Sequence, residues 1–111
     1  MCGLVFLYQP ECHEQILKRR VSRALQRLVH RGPDDAGLWC EHPAALGHRR
    51  LAILDLTSSR QPMVDPLNRY VLTYNGEVYN FQELRCELER DWKFRTRGDT
   101  EVVLAGLVIH G

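Results

Sequence analysis

A mixed α+β domain is what the sequence predicts, and three stretches predict it. Residues 2–8 are apolar and run into Pro10, which reads as a strand and its closure. Residues 14–28 carry Leu17, Val21, Ala24, Leu25 and Leu28 at helical spacing, a single apolar stripe. Residues 70–74 (Tyr-Val-Leu-Thr-Tyr) are β-branched and aromatic, the content of a strand. With 111 residues and a formal net charge of +1, the chain is one domain or part of one. Its composition, 44% hydrophobic and 26% charged, is that of an ordinary soluble globular protein.

The remaining elements follow in order. The first helix carries Lys18, Arg19, Arg20, Arg23 and Arg27 opposite its stripe. A solvated face is the common cause of such a run. With no interleaved aromatics and a near-neutral chain, nucleic-acid binding is not expected. His30 to Gly37 is rich in Gly, Pro and Asp and reads as a loop with tight turns. Residues 37–41 are short and extended, His42-Pro43 ends them, and 44–48 form the next strand. Arg49 and Arg50 then lead into an apolar segment, 51–54, and residues 57–63 have loop composition. Asn75-Gly76, after the strand at 70–74, is a strong signal for a type I′ hairpin turn. Asn80 with Glu83 three residues on reads as a capping box opening a helix, with Phe81, Leu84 and Leu88 on one face. Residues 93–96 look extended. Asp99 reads as the N-cap of a last helix, 102–109, so apolar all round that other layers must bury it.

No apolar run approaches the roughly 20 residues of a membrane span. The N-terminal apolar run lacks a basic leader and is too short for a secretory signal. The four cysteines, 2, 12, 40 and 86, form no C-x-x-C pair, so no zinc site is expected. They read as reduced thiols of a cytoplasmic protein, with Cys40 and Cys86 as small buried hydrophobes.

One position carries chemistry by itself. If the initiator Met1 is trimmed, Cys2 holds an α-amine and a thiol on one residue. Such groups titrate at about 7.7–8.0 and about 8.5, so one can take the other's proton near neutrality. That makes a nucleophile with its own base, as in N-terminal Thr hydrolases. The plain alternative is that Cys2 begins a buried strand.

Six blocks stand in order: Met1-Cys2-Gly3, His30-Arg31-Gly32-Pro33-Asp34-Asp35, Gly47-His48-Arg49-Arg50-Leu51-Ala52-Ile53, Gln61-Pro62-Met63, Tyr74-Asn75-Gly76-Glu77-Val78-Tyr79-Asn80 and Gly98-Asp99-Thr100-Glu101. Together they resemble the glutaminase domain of glutamine-dependent asparagine synthetases, which are class II glutamine amidotransferases. The resemblance spans essentially the whole chain. It implies an N-terminal-nucleophile (Ntn) hydrolase fold, an αββα sandwich with antiparallel sheets, incomplete here because residues 1–111 match the N-terminal part of such a domain. The S-G-G-x-D-S loop of an ATP-binding synthetase domain is absent.

The resemblance also implies the roles. Cys2 attacks the side-chain amide of L-glutamine, and its α-amine is base and then acid. Asn75 and Gly76 donate to the oxyanion, in place of the hairpin. Arg50 clamps the α-carboxylate and Asp99 pairs with the α-ammonium. Main-chain groups at Ile53 and Leu54, and Glu77, complete the pocket. Arg49 has the same chemistry one position away but does not align. Arg31 and Asp34 brace a loop. Gly98 departs from the family, where serine is common, and the local cap is expected to be weaker. No cofactor is implied for glutamine hydrolysis; ATP and Mg would serve only a synthetase domain present elsewhere, in cis or in trans. The alternative to an enzyme is a truncated, catalytically inert module that keeps the site residues and acts as a binding or structural piece.

Overall fold

The computed structural model describes residues 2–51 and 59–111. Eight elements follow one another: β1 (Gly3–Tyr8), α1 (Glu14–Arg27), β2 (Asp35–Glu41), β3 (Ala44–Arg50), β4 (Met63–Val64), β5 (Val71–Leu72), α2 (Phe81–Leu88) and α3 (Asp99–His110). They make a three-stranded antiparallel sheet in the order β1-β3-β2 and a two-stranded antiparallel ribbon of β4 and β5. The expected mixed α+β architecture with antiparallel sheets is thus present.

The β1-β3-β2 sheet is organised by the alternation of β3. Side chains along a strand point to opposite faces in turn. Ala45 and Gly47 face α1, whose Leu17, Val21 and Leu25 are buried against them and against Val5 and Leu7. Gly47 has no side chain because α1 is close; a Cβ there would sit 2.6 Å from Val21 Cγ1. Each fully buried Leu or Val of this stripe contributes about 1.5–3 kcal/mol. The basic face of α1 is exposed, as its spacing predicted. The even residues of β3, Leu46, His48 and Arg50, point to the other face, together with Leu4, Phe6 and Tyr8 of β1. Phe6 is 61% exposed and Tyr8 62%, so the far end of that face is an open apolar surface.

The second layer packs α3 on β4 and α2. Met63, Leu88, Trp92, Val102, Leu104 and Ala105 form its core, with Phe81, Leu84 and Leu72 around them. Its polar centre is Glu101, fully buried, whose carboxylate accepts from Trp92 Nε1 (3.1 Å), Arg95 N (3.0 Å), Thr96 N (2.6 Å) and Thr96 Oγ1 (2.6 Å). Burial pushes that carboxyl up, but the hydrogen bonds outweigh it and hold it below its ordinary value.

Several local expectations are corrected. The hairpin is made by 65–70, not by Asn75-Gly76. Asp65 is buried, and its carboxylate accepts from the backbone N–H groups of Leu67, Arg69 and Tyr70, while Asn68 takes a φ of 55°. Among the described residues neither Asn75 nor Gly76 has a positive φ, which a type I′ turn requires at both centres. The strand at 70–74 is shorter, Val71–Leu72. Asn80 does stand at the N-cap of α2, but its side chain makes no capping bond. The N-cap of α3 is Gly98, and Asp99 is the first helical residue. Residues 93–96 pair in no sheet among the described residues; Arg95 and Thr96 instead donate to the Glu101 carboxylate. Cys86 is exposed rather than buried, and Cys40 is half-buried, with burial raising its thiol. All four cysteines are free thiols.

Candidate active site

Cys2 stands just before β1, and its thiol lies against the backbone at the far end of β3. The Leu51 N–H donates to Cys2 Sγ at 3.4 Å, and Sγ lies 3.9 Å from Leu51 O. Arg50, the residue before that contact, is buried on the face of the sheet away from α1. The 31–34 loop braces this strand end. Asp34 N donates to Arg50 O at 3.0 Å, and Arg49 Nε donates to Gly32 O at 2.9 Å. The two arginines are therefore separated by alternation: Arg49 is spent on the loop, and Arg50 shares a face with His48. Gly32 permits the bracing, because a Cβ there would collide with the Arg49 backbone.

The 74–78 segment is brought to the same strand end by hydrogen bonds to its backbone. His48, 1% exposed, contacts Tyr74 O through Nε2 at 3.1 Å. A carbonyl only accepts, so Nε2 carries the proton. Burial lowers His48 below the ordinary imidazole range; Arg50 adds to this, while the Tyr74 carbonyl and Asp35 oppose without cancelling it. His48 is accordingly neutral near pH 7. On the other side of the same residue, Tyr74 N donates to Gln61 Oε1 at 2.6 Å, and Gln61 Nε2 donates to Thr100 Oγ1 at 3.3 Å. Gln61 is itself seated against β2, where Gly37 leaves room for the Gln61 carbonyl. Four residues beyond Tyr74, Val78 N donates to Asp99 Oδ2 at 3.0 Å.

Asn75, Gly76 and Glu77 lie exposed between these fixed points. The Tyr74 phenol folds back over Gly76, where a Cβ would meet its oxygen at 2.6 Å. Burial pushes that phenol up, and the charges of Asp99 and Glu77 add to the effect. The Cys2 thiol and Arg50 thus stand at the end of β3, and the exposed 75–77 segment is tied to that strand through His48 and to the Asp99 carboxylate through Val78. Of the eight site residues expected from the sequence, six lie in the described part: Cys2 and Arg50 at the end of β3, Asn75, Gly76 and Glu77 in the segment that His48 and Gln61 hold, and Asp99 at the start of α3, bonded to Val78 of that segment. Ile53 and Leu54 lie outside the described residues.

His48, Gln61 and Thr100 were each inside a sequence block but carried no expected role. For His48 a signal existed: it stands two residues before Arg50 in a strand, hence on the same face. Gln61 gave none, since its contacts to Tyr74 and Thr100 are long-range. A cavity of about 370 Å³ opens between α2 and α3, lined by Val78, Leu84, Leu88, Val103 and Leu107. Its lining is mostly apolar, with Glu87 and His110 beside these residues, and includes none of the expected site residues.

A mixed α+β module of antiparallel sheets, with a cysteine just ahead of its first strand and against the end of a neighbouring one, is the class this geometry defines. The chain belongs to the glutamine amidotransferase domain family, whose model matches residues 1–111. It is 42% identical over 112 residues to the glutamine-hydrolyzing asparagine synthetase of Asparagus officinalis, covering 100% of this chain and 19% of that protein. It is 34% identical over 105 residues to asparagine synthetase B of Escherichia coli (strain K12), covering 95% and 19%. To asparagine synthetase 3 of Bacillus subtilis (strain 168) it is 43% identical over 90 residues, covering 78% and 15%. The chain therefore spans about a fifth or less of the length of these relatives.

Proposed function

We propose that the chain carries out the glutaminase half-reaction of an asparagine synthetase, releasing ammonia from L-glutamine through a thioester on Cys2. The observation that carries this reading is the meeting of the Cys2 thiol with the backbone that follows Arg50, in a member of the glutamine amidotransferase family. After removal of Met1, the α-amine takes the thiol proton and the thiolate attacks the amide carbon. The tetrahedral oxyanion needs preorganised donors, and the Asn75 side-chain amide and Gly76 N–H supply them. The α-amine returns its proton to the leaving ammonia. Water then hydrolyses the thioester and glutamate departs. Arg50 pairs with the α-carboxylate, since a guanidinium matches it bidentately. Asp99 pairs with the α-ammonium, and main-chain groups at Ile53 and Leu54, with Glu77, complete the pocket. The reaction uses no cofactor. The ammonia passes to a synthetase domain in cis or in trans, with an aspartate-type carboxylate as its acceptor.

Ammonia and glutamate release from glutamine tests this, beside labelling of Cys2 by a glutamine-mimicking electrophile and intact-mass measurement of Met1 loss. Turnover in protein that fully retains Met1 would sink the α-amine mechanism. A second reading has one observation behind it. Leu4, Phe6 and Tyr8 form an open apolar face, and exposed apolar patches are where partners dock, which suits a module that only binds a partner. Absence of both turnover and Cys2 labelling in folded protein selects that reading.

A further inference from the structure

The backbone of Tyr74 is held on both sides. Gln61 accepts its N–H, His48 donates to its carbonyl, and the next two residues are the exposed Asn75 and Gly76. Neither holder sits in the same element as Tyr74. His48 belongs to β3, two residues before Arg50, and Gln61 precedes β4 and reaches on to Thr100 in the first turn of α3. No ladder bond serves this purpose, because β5 ends at Leu72. A segment without strand pairing would otherwise sample many backbone states, at about 1–2 kcal/mol of conformational entropy per residue fixed.

Resting on the function proposed above, we infer that Gln61 and His48 are positioning residues that clamp the Tyr74 peptide and so set where Asn75 and Gly76 present their N–H groups to the reacting amide. The clamp ties that segment to the strand that carries Arg50 and to the helix that carries Asp99. The distance between the carboxylate clamp, the ammonium site and the oxyanion donors is then fixed by two side chains that touch no substrate. Donors act in the transition state only where they already point at the developing charge. Loosening them lowers kcat, while Arg50 and Asp99 continue to bind glutamine and hold KM.

Gln61 is the residue to change, since it is half-buried and His48 lies in the core. Gln61→Met keeps the length and removes both polar atoms; Gln61→Glu keeps an acceptor for Tyr74 N–H. The expected result is a kcat for Gln61→Met lowered about tenfold to a hundredfold, the scale of a misplacement near 1 Å, with KM within about twofold. Alkylation of Cys2 by iodoacetamide, which needs no oxyanion donor, should proceed at the wild-type rate, and Gln61→Glu should recover most of the kcat. An unchanged kcat in Gln61→Met, or equal impairment of both variants, overturns the clamp. If wild-type protein releases no ammonia, the glutaminase function falls instead. The clamp is then judged by amide exchange, which Gln61→Met must accelerate at least about tenfold across 74–78 while α1 stays protected. Unchanged exchange there refutes it.

Discussion

Glu101→Gln removes a charge from a site built around it. The carboxylate has no solvent exposure and is met by three N–H donors and one hydroxyl. A glutamine side chain offers one oxygen and one NH₂ group. If the oxygen faces Trp92 and Arg95, the NH₂ confronts Thr96 N–H; if it turns, it confronts the other two. At least one buried donor loses its acceptor, at about 1–3 kcal/mol each, and the surviving bonds lose their charge assistance. Destabilisation of about 3 kcal/mol is therefore expected, a large fraction of the roughly 5–15 kcal/mol of a typical domain. Urea unfolding followed by tryptophan fluorescence reads it directly. The effect must also depend on pH. The folded carboxyl is held below its ordinary value of 4.5, so its contribution is fully present above that value and is lost as pH falls through the depressed one. The gap between wild type and Glu101→Gln should be constant near neutrality and shrink in acid. A gap under about 1 kcal/mol at pH 7, or one that stays constant down to pH 2, refutes the reasoning. Because Asp99 and Thr100 open the same helix, the variant should also weaken glutamine turnover at temperatures well below its unfolding.

Asn75→Ala should lower kcat about a hundredfold or more, the usual loss for one oxyanion donor, with KM little changed; steady-state ammonia release decides it, and an effect confined to KM contradicts the role. Gly37→Ala should be strongly destabilising, since the new methyl meets the Gln61 carbonyl, a backbone atom that cannot swing away; a thermal midpoint within about 2 °C of wild type shows that the contact is relaxed. Gly98 lies against buried Ser59, whose Oγ would be 2.6 Å from a Cβ at 98 and has no partner among the described residues. The pair Ser59→Ala with Gly98→Ser should therefore add a helix cap worth about a few tenths of a kcal/mol over the glycine, measured by urea unfolding. Equal or lower stability of the double variant shows that no cap forms.

The elements that periodicity could find were legible. The stripe of Leu17, Val21 and Leu25 gave α1 almost to its ends, and the apolar run at 102–109 gave α3, because local spacing decides which face of a helix is buried. The hairpin signal of Asn75-Gly76, which the resemblance already overrode, is unrealised for a physical reason. The dipeptide is compatible with a type I′ turn, but the hydrogen bonds of Tyr74 to Gln61 and His48 come from residues 13 and 26 positions away and hold it elsewhere. The real hairpin at 65–70 rests on a buried carboxylate gathering three N–H groups, a pattern visible in sequence only as an Asp before a Pro. Glu101 was likewise hidden. In sequence it looks like a first-turn acid on a helix, and only packing reveals that it centres a core. The site residues came from ordered blocks and not from spacing, which is why Gln61 was present in the blocks and silent about its task.

Alternation along β3 makes the strand its own proofreader. Arg49 and Arg50 are chemically identical neighbours, so a slip of one residue in the His42-Pro43 turn would still place a guanidinium at the strand end beside Cys2. The slip would also drive Leu46 and His48 into the space beneath α1 that Gly47 must leave empty, and expose Ala45. The wrong arginine can reach the thiol only by wrecking the helix packing on the opposite face. An insertion or deletion in that turn is thus punished as a folding error before it can appear as an altered substrate preference.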